Sequence, residues 1–371
     1  MKTVKNGVDR LQRAPWLKET RLGLIASPSG VTRDLRLTLD VLHENYNLTA
    51  IFAPEHGARG ETEAGEHIFS YTDARTGLPV YSLYGETKKP TPAMLEGIDL
   101  LIIDVQDIGC RYYTFLSTLR LCMEACAENG KVFGVFDRPN PIGGVETEGN
   151  LVREGFVSFV GCAAIPTRHG MTLGELARML NAEYRIGCEL FVLPMENWRR
   201  KMLADETGLL WVNPSPNMPC LDAALLYPGT CLFEGTNISE GRGTTKPFEI
   251  FGAPWIDGEK LADYLNDLNL DGLRFRPVYF KPAFSKHAGV LCGGAQAHVA
   301  DKKIIKPVSA GLAMLEAARK FSDGKFEFTS FIDLLAGCDL LRKENGFDAY
   351  RETCEAEAAS FAQTREKYLI Y

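Results

Sequence analysis

Short apolar runs recur along the first half of the chain, each broken by a polar turn and followed by apolar residues at helical spacing. Arg21–Ala26 (RLGLIA) runs into Ser27-Pro28-Ser29-Gly30 and then Thr32–Asn45, which predicts strand, turn and helix. Leu48–Ala53 predicts a second strand and Pro79–Tyr84 a short third. Ile98–Val105, apolar apart from its acids, fits a central strand covered on both faces. Tyr113–Glu128 predicts an amphipathic helix closed by Asn129-Gly130, and Val132–Phe136 the next strand. Thr172-Leu-Gly-Glu175 spells a capping box for a helix reaching Tyr184, and Glu189–Leu193 supplies one more strand. Strands alternating with helices predict an α/β fold with a parallel, doubly wound, Rossmann-like sheet.

From Trp211 the texture turns rich in Pro, Gly and Asn. A length of 371 residues exceeds one ordinary core, and the boundary is expected near Cys220. That gives a Rossmann-like domain over residues 1–220 and a smaller α+β auxiliary domain over 221–371. The second should hold strands Phe275–Phe280 and Gly294–Val299 and helices Val308–Phe321 and Ser330–Leu341. The polar loop Glu234–Glu249 is expected to face the cleft between the two.

Composition narrows the classes. A formal net charge of −7 argues against nucleic-acid partners and anionic membrane surfaces. Ten scattered cysteines without CxxC spacing read as buried thiols, which suits a reducing compartment. The first residues are charged throughout, without a secretory apolar core, and no apolar stretch reaches membrane-span length. A cytoplasmic location is the expectation, or a periplasmic or extracellular one if this is a processed form. No GxGxxG follows a strand and no GxxxxGK[ST] occurs, so no nucleotide cofactor is expected. SEGRGTT lacks the strand and lysine that would make it a phosphate cradle.

Candidate chemistry collects at the strand ends. Pro54 cannot donate to a sheet ladder, so Leu48–Ala53 should stop before it and throw Glu55 and His56 beyond its carboxyl end, where open α/β sheets bind ligands. Other strand ends deliver Glu86, Gln106 with Asp107, and Asp137 with Arg138. Blander readings stand beside these: a turn with a solvated Glu55, a structural Asp137–Arg138 ion pair, and Asp104 as a buried acid held by backbone amides. His56, Glu63, Glu66 and His67 crowd one loop, but their spacing matches no metal site, and no metal is expected. Tyr84, Tyr112, Tyr113 and Trp255 offer sugar-stacking faces. Glycosidase, amidase and non-catalytic ligand binder all remain open on this chemistry.

The strings FAPEHGARGETEAGE, DVQDIGCRYYTFLSTL, DRPNPIGG, RHGMTLGELA, PSPNMPCLDAALLYPGTCLFEGTNISEGRGTTKPFEIFGAPW and FRPVYFKPAFSKHAG resemble the NamZ-type exo-β-N-acetylmuramidases from about Arg21 to the C-terminus. The resemblance implies a Rossmann-like catalytic domain joined to a smaller one with the active site in the cleft between them. It implies release of terminal N-acetylmuramic acid from the non-reducing ends of peptidoglycan-derived saccharides or muropeptides. The family's proposed catalytic glutamate falls on Glu55, read as the general acid. Asp107 and Glu240 are candidates for the second carboxylate, unless the substrate acetamido group takes that place. His56, Arg111, Tyr112, Asp137, Arg138, His169, Asn217, Asn237 and Arg242 are the substrate-binding candidates. Arg242, then Arg138, is favoured for the lactyl carboxylate, because a guanidinium holds a carboxylate bidentately; ion pairs to Glu234 or Asp137 are the plain alternative. The rival reading is a peptidoglycan-sugar-binding protein without catalysis.

Overall fold

The computed structural model describes residues 3–60 and 70–371, so Glu63, Glu66 and His67 lie outside the described residues. Seven strands form the larger sheet: β1 (Leu22–Ala26), β2 (Leu48–Ala53), β3 (Tyr71–Thr72), β4 (Pro79–Ser82), β5 (Leu100–Asp104), β6 (Val132–Phe136) and β7 (Glu189–Leu193). Their order is β3-β4-β2-β1-β5-β6-β7, parallel except for the β3–β4 pair. Every residue of β1 and β5 is buried, as their continuous apolar runs require. Strand order reverses between β1 and β5, which makes the carboxyl ends of these two strands the switch point of the sheet.

Helix α1 (Thr38–Asn45) and the N-terminal 3₁₀ segment Gly7–Arg13 cover one face of this sheet. The sequence pattern placed the helix start at Thr32. Instead Thr32–Leu37 closes on itself, with Thr32 N–H donating to Arg36 O at 2.8 Å and Leu35 at φ 62°, a conformation no helix can include. A short α2 (Pro92–Leu95) precedes β5, and α3 (Phe115–Glu128) and α4 (Leu173–Glu183) cover the other face. Thr172 and Glu175 form the expected capping box of α4.

The smaller sheet is antiparallel, β8 (Ile250–Ala253), β9 (Leu273–Phe280) and β10 (Cys292–Val299) in the order β8-β10-β9. Around it lie α5 (Leu221–Thr230), α6 (Gly258–Asp267), α7 (Pro307–Lys320), α8 (Phe331–Ala336) and α9 (Gly346–Arg365). The fold is thus a two-domain α/β fold whose larger sheet precedes Cys220 and whose smaller sheet follows it. Helices α5 and α7 meet backbone to backbone: a Cβ on Gly311 would stand 2.3 Å from Gly229 Cα, so neither position has room for a side chain.

One apolar core runs from α3 and α4 through α5 into the second domain without a break. The C-terminal helix ties the domains further. Arg365 donates to the carbonyls of His169 and Gly170 at 3.0 and 2.8 Å, and Glu357 accepts from Leu151 N–H at 2.6 Å. The long glycine-rich excursion between β6 and α4 is thereby held in place by residues two hundred positions away.

Candidate active site

Beyond Ala53 the chain turns at once. Gly57 N–H donates to Pro54 O at 3.2 Å, with His56 at φ 78°, the third residue of a turn that ordinarily favours glycine there. Backbone strain of this kind costs on the order of 1–3 kcal/mol and persists where the surroundings impose it. It turns Glu55 outward and leaves His56 largely buried.

Glu55 stands in an opening of about 50 Å³ between the domains. His56, Tyr112, Tyr113 and Thr114 line it from the first domain, Ser215 and Met218 from the connecting segment, and Tyr227, Arg242 and Phe248 from the second. Thr114 precedes α3, and its hydroxyl donates to Glu55 Oε2 at 2.7 Å rather than capping the helix. Burial first, and then the neighbouring Glu55 carboxylate, push the Tyr84 hydroxyl up to about 12. Tyr227 packs edge-on against Tyr112, Tyr113 and Phe248, so the apolar wall is a continuous aromatic cluster.

Arg242 reaches this opening with its charge already shared. Its Nε and Nη2 donate to Glu234 Oε1 at 3.1 and 2.6 Å, and Nε lies 3.4 Å from Glu240 Oε1. Burial raises the Glu234 carboxyl above its usual range, while the Arg242 guanidinium pulls it back. Glu240 itself is buried behind the arginine and accepts from Lys286 Nζ at 2.8 Å. Two carboxylates and two cations therefore make one compensated cluster.

Asp107 and His169 form a second buried unit. Asp107 Oδ2 accepts from Gly109 N–H at 2.7 Å, an Asx turn that needs Gly109 at φ 80°. Met171 N–H donates to His169 Nδ1 at 3.2 Å, which places the imidazole proton on Nε2, 3.6 Å from Asp107 Oδ2. Asp107 Oδ1 is buried without a hydrogen-bond partner.

The remaining candidates sit elsewhere. Arg111 is buried and spends its guanidinium on Ile165 O, Asn150 Oδ1, Leu335 O and Ala336 O at 2.9–3.1 Å, joining the domains rather than facing the opening. Asp137 is fully buried at the N-terminus of α4, accepting from Gly174 N–H at 2.9 Å, Thr172 Oγ1 at 2.7 Å and Tyr371 OH at 2.8 Å. Arg138 pairs not with Asp137 but with Asp104, Nε to Oδ1 at 2.6 Å and Nη2 to Oδ2 at 2.8 Å. Asp104 is thus held by that fork and the Thr38 hydroxyl, a correction to its reading as an acid satisfied by backbone amides. Asn237 gives its amide to Lys325 O at 2.7 Å and accepts from Glu327 N–H at 3.0 Å, so it fastens the loop to residues 325–327. Asn217 is buried between Ser215 and Met218.

Of the candidates, the opening brings together Glu55, His56, Tyr112, Tyr113 and Arg242. Sequence reasoning missed Thr114, Ser215, Tyr227 and Phe248, none of which carries a motif signal of its own. Among the described residues no cluster of His, Cys, Asp and Glu is arranged to hold a metal ion.

The descriptions "Exo-beta-N-acetylmuramidase NamZ, N-terminal" and "C-terminal" match residues 22–222 and 225–371 respectively. The peptidoglycan β-N-acetylmuramidase NamZ of Bacillus subtilis (strain 168) is 47% identical over 382 residues, which cover 99% of this chain and 91% of that protein. Two crystal structures of DUF1343 family proteins from Bacteroides fragilis NCTC 9343 superimpose over 100% of this chain and 99% of theirs. Their TM-scores are 0.92 and 0.80 at 39% and 32% identity.

Proposed function

The chain belongs to the exo-β-N-acetylmuramidase NamZ family, and from that premise we propose that Glu55 is the acid of its glycosidic cleavage. The chain is a glycoside hydrolase that releases terminal β-1,4-linked N-acetylmuramic acid from peptidoglycan fragments. The observation that carries the site is the setting of Glu55: a strand-end carboxylate in an interdomain opening, oriented by the Thr114 hydroxyl.

Cleavage of a glycosidic bond needs a proton delivered to the leaving oxygen as positive charge develops on the sugar ring. The carboxyl of Glu55 delivers that proton, with Thr114 fixing its rotamer. Charge on the ring is then met by a second group. Both oxygens of Glu240 face cations, whereas one oxygen of Asp107 has no hydrogen-bond partner, so Asp107 is the better supported of the two. It is buried beside His169 behind the lining of the opening and reaches the ring only if that lining moves. The substrate acetamido group is the alternative nucleophile. The aromatic cluster around Tyr227 offers the apolar face of the ring a stacking surface, and Arg242 keeps Nη1 for the lactyl carboxylate.

Ten free thiols support a reducing compartment, hence cytoplasmic salvage of muropeptides; cell fractionation tests that proposal. Among the described residues no helix is long and apolar enough to cross a membrane. The experiment for the activity is incubation with a chromogenic β-N-acetylmuraminide and the matching glucosaminide. Preferential hydrolysis of the muraminide is expected, and binding without hydrolysis of either would favour the non-catalytic reading.

A further inference from the structure

The charges packed around Arg242 balance before any ligand arrives. Glu234 and Glu240 bring two carboxylates, Arg242 and Lys286 two cations. Lys286, on the connection from β9 to β10, donates through Nζ to Phe233 O at 2.6 Å, Ile238 O at 2.9 Å and Glu240 Oε2 at 2.8 Å. Three acceptors use every proton of an ammonium. Arg242 is therefore the member of the quartet that meets an incoming anion, and it lines the Glu55 opening while still bound to Glu234.

A carboxylate seated on Arg242 upsets that balance. Three negative charges then share two cations in a site screened from water, where like charges repel strongly and one carboxylate is driven to take a proton. The groups facing Glu234 offer no compensating charge. Tyr227 from α5 and Cys231 from the 3₁₀ segment Cys231–Gly235 are held protonated and neutral by burial, and Glu240 is itself an anion. Across the opening, the Tyr84 hydroxyl is also held neutral by burial.

Four groups at the site are able to accept the proton: Glu55, His56, Glu234 and Glu240. Glu55 already receives the Thr114 hydroxyl, a donor that favours the ionised form. His56 stands on the first-domain wall of the opening, and Glu240 faces a cation with each oxygen. Glu234 pairs with Arg242 alone among the described residues, through Oε1, and that guanidinium is the group the newcomer must share. Burial already raises its carboxyl above the usual range, and its side chain keeps 19% exposure, which gives a solvent proton access.

We propose that Glu234 is a specificity-determining residue: it takes a proton from solvent when the lactyl carboxylate of N-acetylmuramic acid binds Arg242, and returns it when the sugar leaves. This rests on the reading of Arg242 as the lactyl contact and adds how the site accommodates a further anion. Protonation leaves Glu240 and the lactyl group as two carboxylates against two cations. N-acetylglucosamine brings no charge and calls for no proton. Preference for muramic acid is thus linked to pH, with affinity falling as pH rises while that for the neutral sugar stays level.

Calorimetric titration of the whole protein with N-acetylmuramic acid and with N-acetylglucosamine, each in two buffers of different ionisation enthalpy, counts the protons. Over about pH 5–8 uptake should peak at roughly 0.5–1 proton per N-acetylmuramic acid, with Kd rising by up to about tenfold per pH unit, and should be nil for N-acetylglucosamine. Glu234→Gln should bind N-acetylmuramic acid without uptake and with a flat pH profile. The infrared difference spectrum on binding should gain the C=O band of a protonated carboxylic acid, which an imidazolium would not give. That band should persist in Glu55→Gln, so the wild type and this variant test the proposal even where Glu234→Gln fails to fold. Preference for N-acetylmuramic acid without proton uptake would overturn the proposal and leave the Arg242 reading standing. Uptake that survives in Glu234→Gln, or a band lost in Glu55→Gln, would also overturn it by moving the proton to another group. Equal affinity for the two sugars would remove the Arg242 reading and the proposal with it.

Discussion

Thr114 donates its hydroxyl to Glu55 Oε2 at 2.7 Å although it occupies the position where a threonine ordinarily caps its own helix. The side chain is committed to the carboxylate and not to α3. Thr114→Val keeps the shape and removes the donor. A hydrogen bond to a charged group is worth about 1.5–3 kcal/mol, so kcat/KM should fall by about 10–150-fold. The melting temperature should move little. A variant with full activity and a lowered melting temperature would show that the hydroxyl serves the fold.

The Asp104–Arg138 pair crosses from β5 to the end of β6 with both side chains buried. Arg138→Met strands the carboxylate, and removing one member of a buried pair costs about 3–5 kcal/mol. Urea denaturation of Arg138→Met should show that loss, and the double variant Asp104→Asn/Arg138→Met should recover part of it. A double variant less stable than either single one would contradict the pairing.

Much of this arrangement was legible in the chain, and the failures share a cause. The strands were readable because central parallel strands are apolar throughout, and Glu55 was readable because Pro54 ends a strand just before it. Arg138 was misassigned because its partner, Asp104, lies on a neighbouring strand, invisible to any local pattern. Helix α5 was missed because Pro228 sits inside it, and Gly229 is set by contact with α7 rather than by local propensity. Thr114 and Tyr227 become functional candidates only once the domains meet around Glu55.

Burial pushes the Asp137 carboxyl up to about 6, against hydrogen bonds from Gly174, Thr172 and Tyr371 that pull it down. The unfolded value is about 3.9, so between roughly pH 4 and 6 the folded chain holds more of this proton than the unfolded one. That contribution to stability falls as pH rises through the window and is level above it. Denaturation of wild type and Asp137→Asn at pH 4.5 and 7 isolates it. The wild-type advantage should shrink toward pH 7, and an advantage that grows would contradict the upward shift.

Arg242→Ala should lower kcat/KM on a muraminide by about 10–150-fold, the range of a lost charge-assisted contact, and should cost less on a glucosaminide. It also strands Glu234, so stability is expected to fall. Equal losses on the two substrates would assign Arg242 to the ion cluster alone.

The central claim is that Glu55 supplies the proton to the leaving oxygen, and Glu55→Gln tests it most directly because the amide keeps the size of the side chain and cannot protonate. Turnover of a chromogenic β-N-acetylmuraminide should drop by about 10²–10⁴-fold, with an unchanged melting temperature and retained substrate binding. Near wild-type turnover in a folded Glu55→Gln protein would contradict the account.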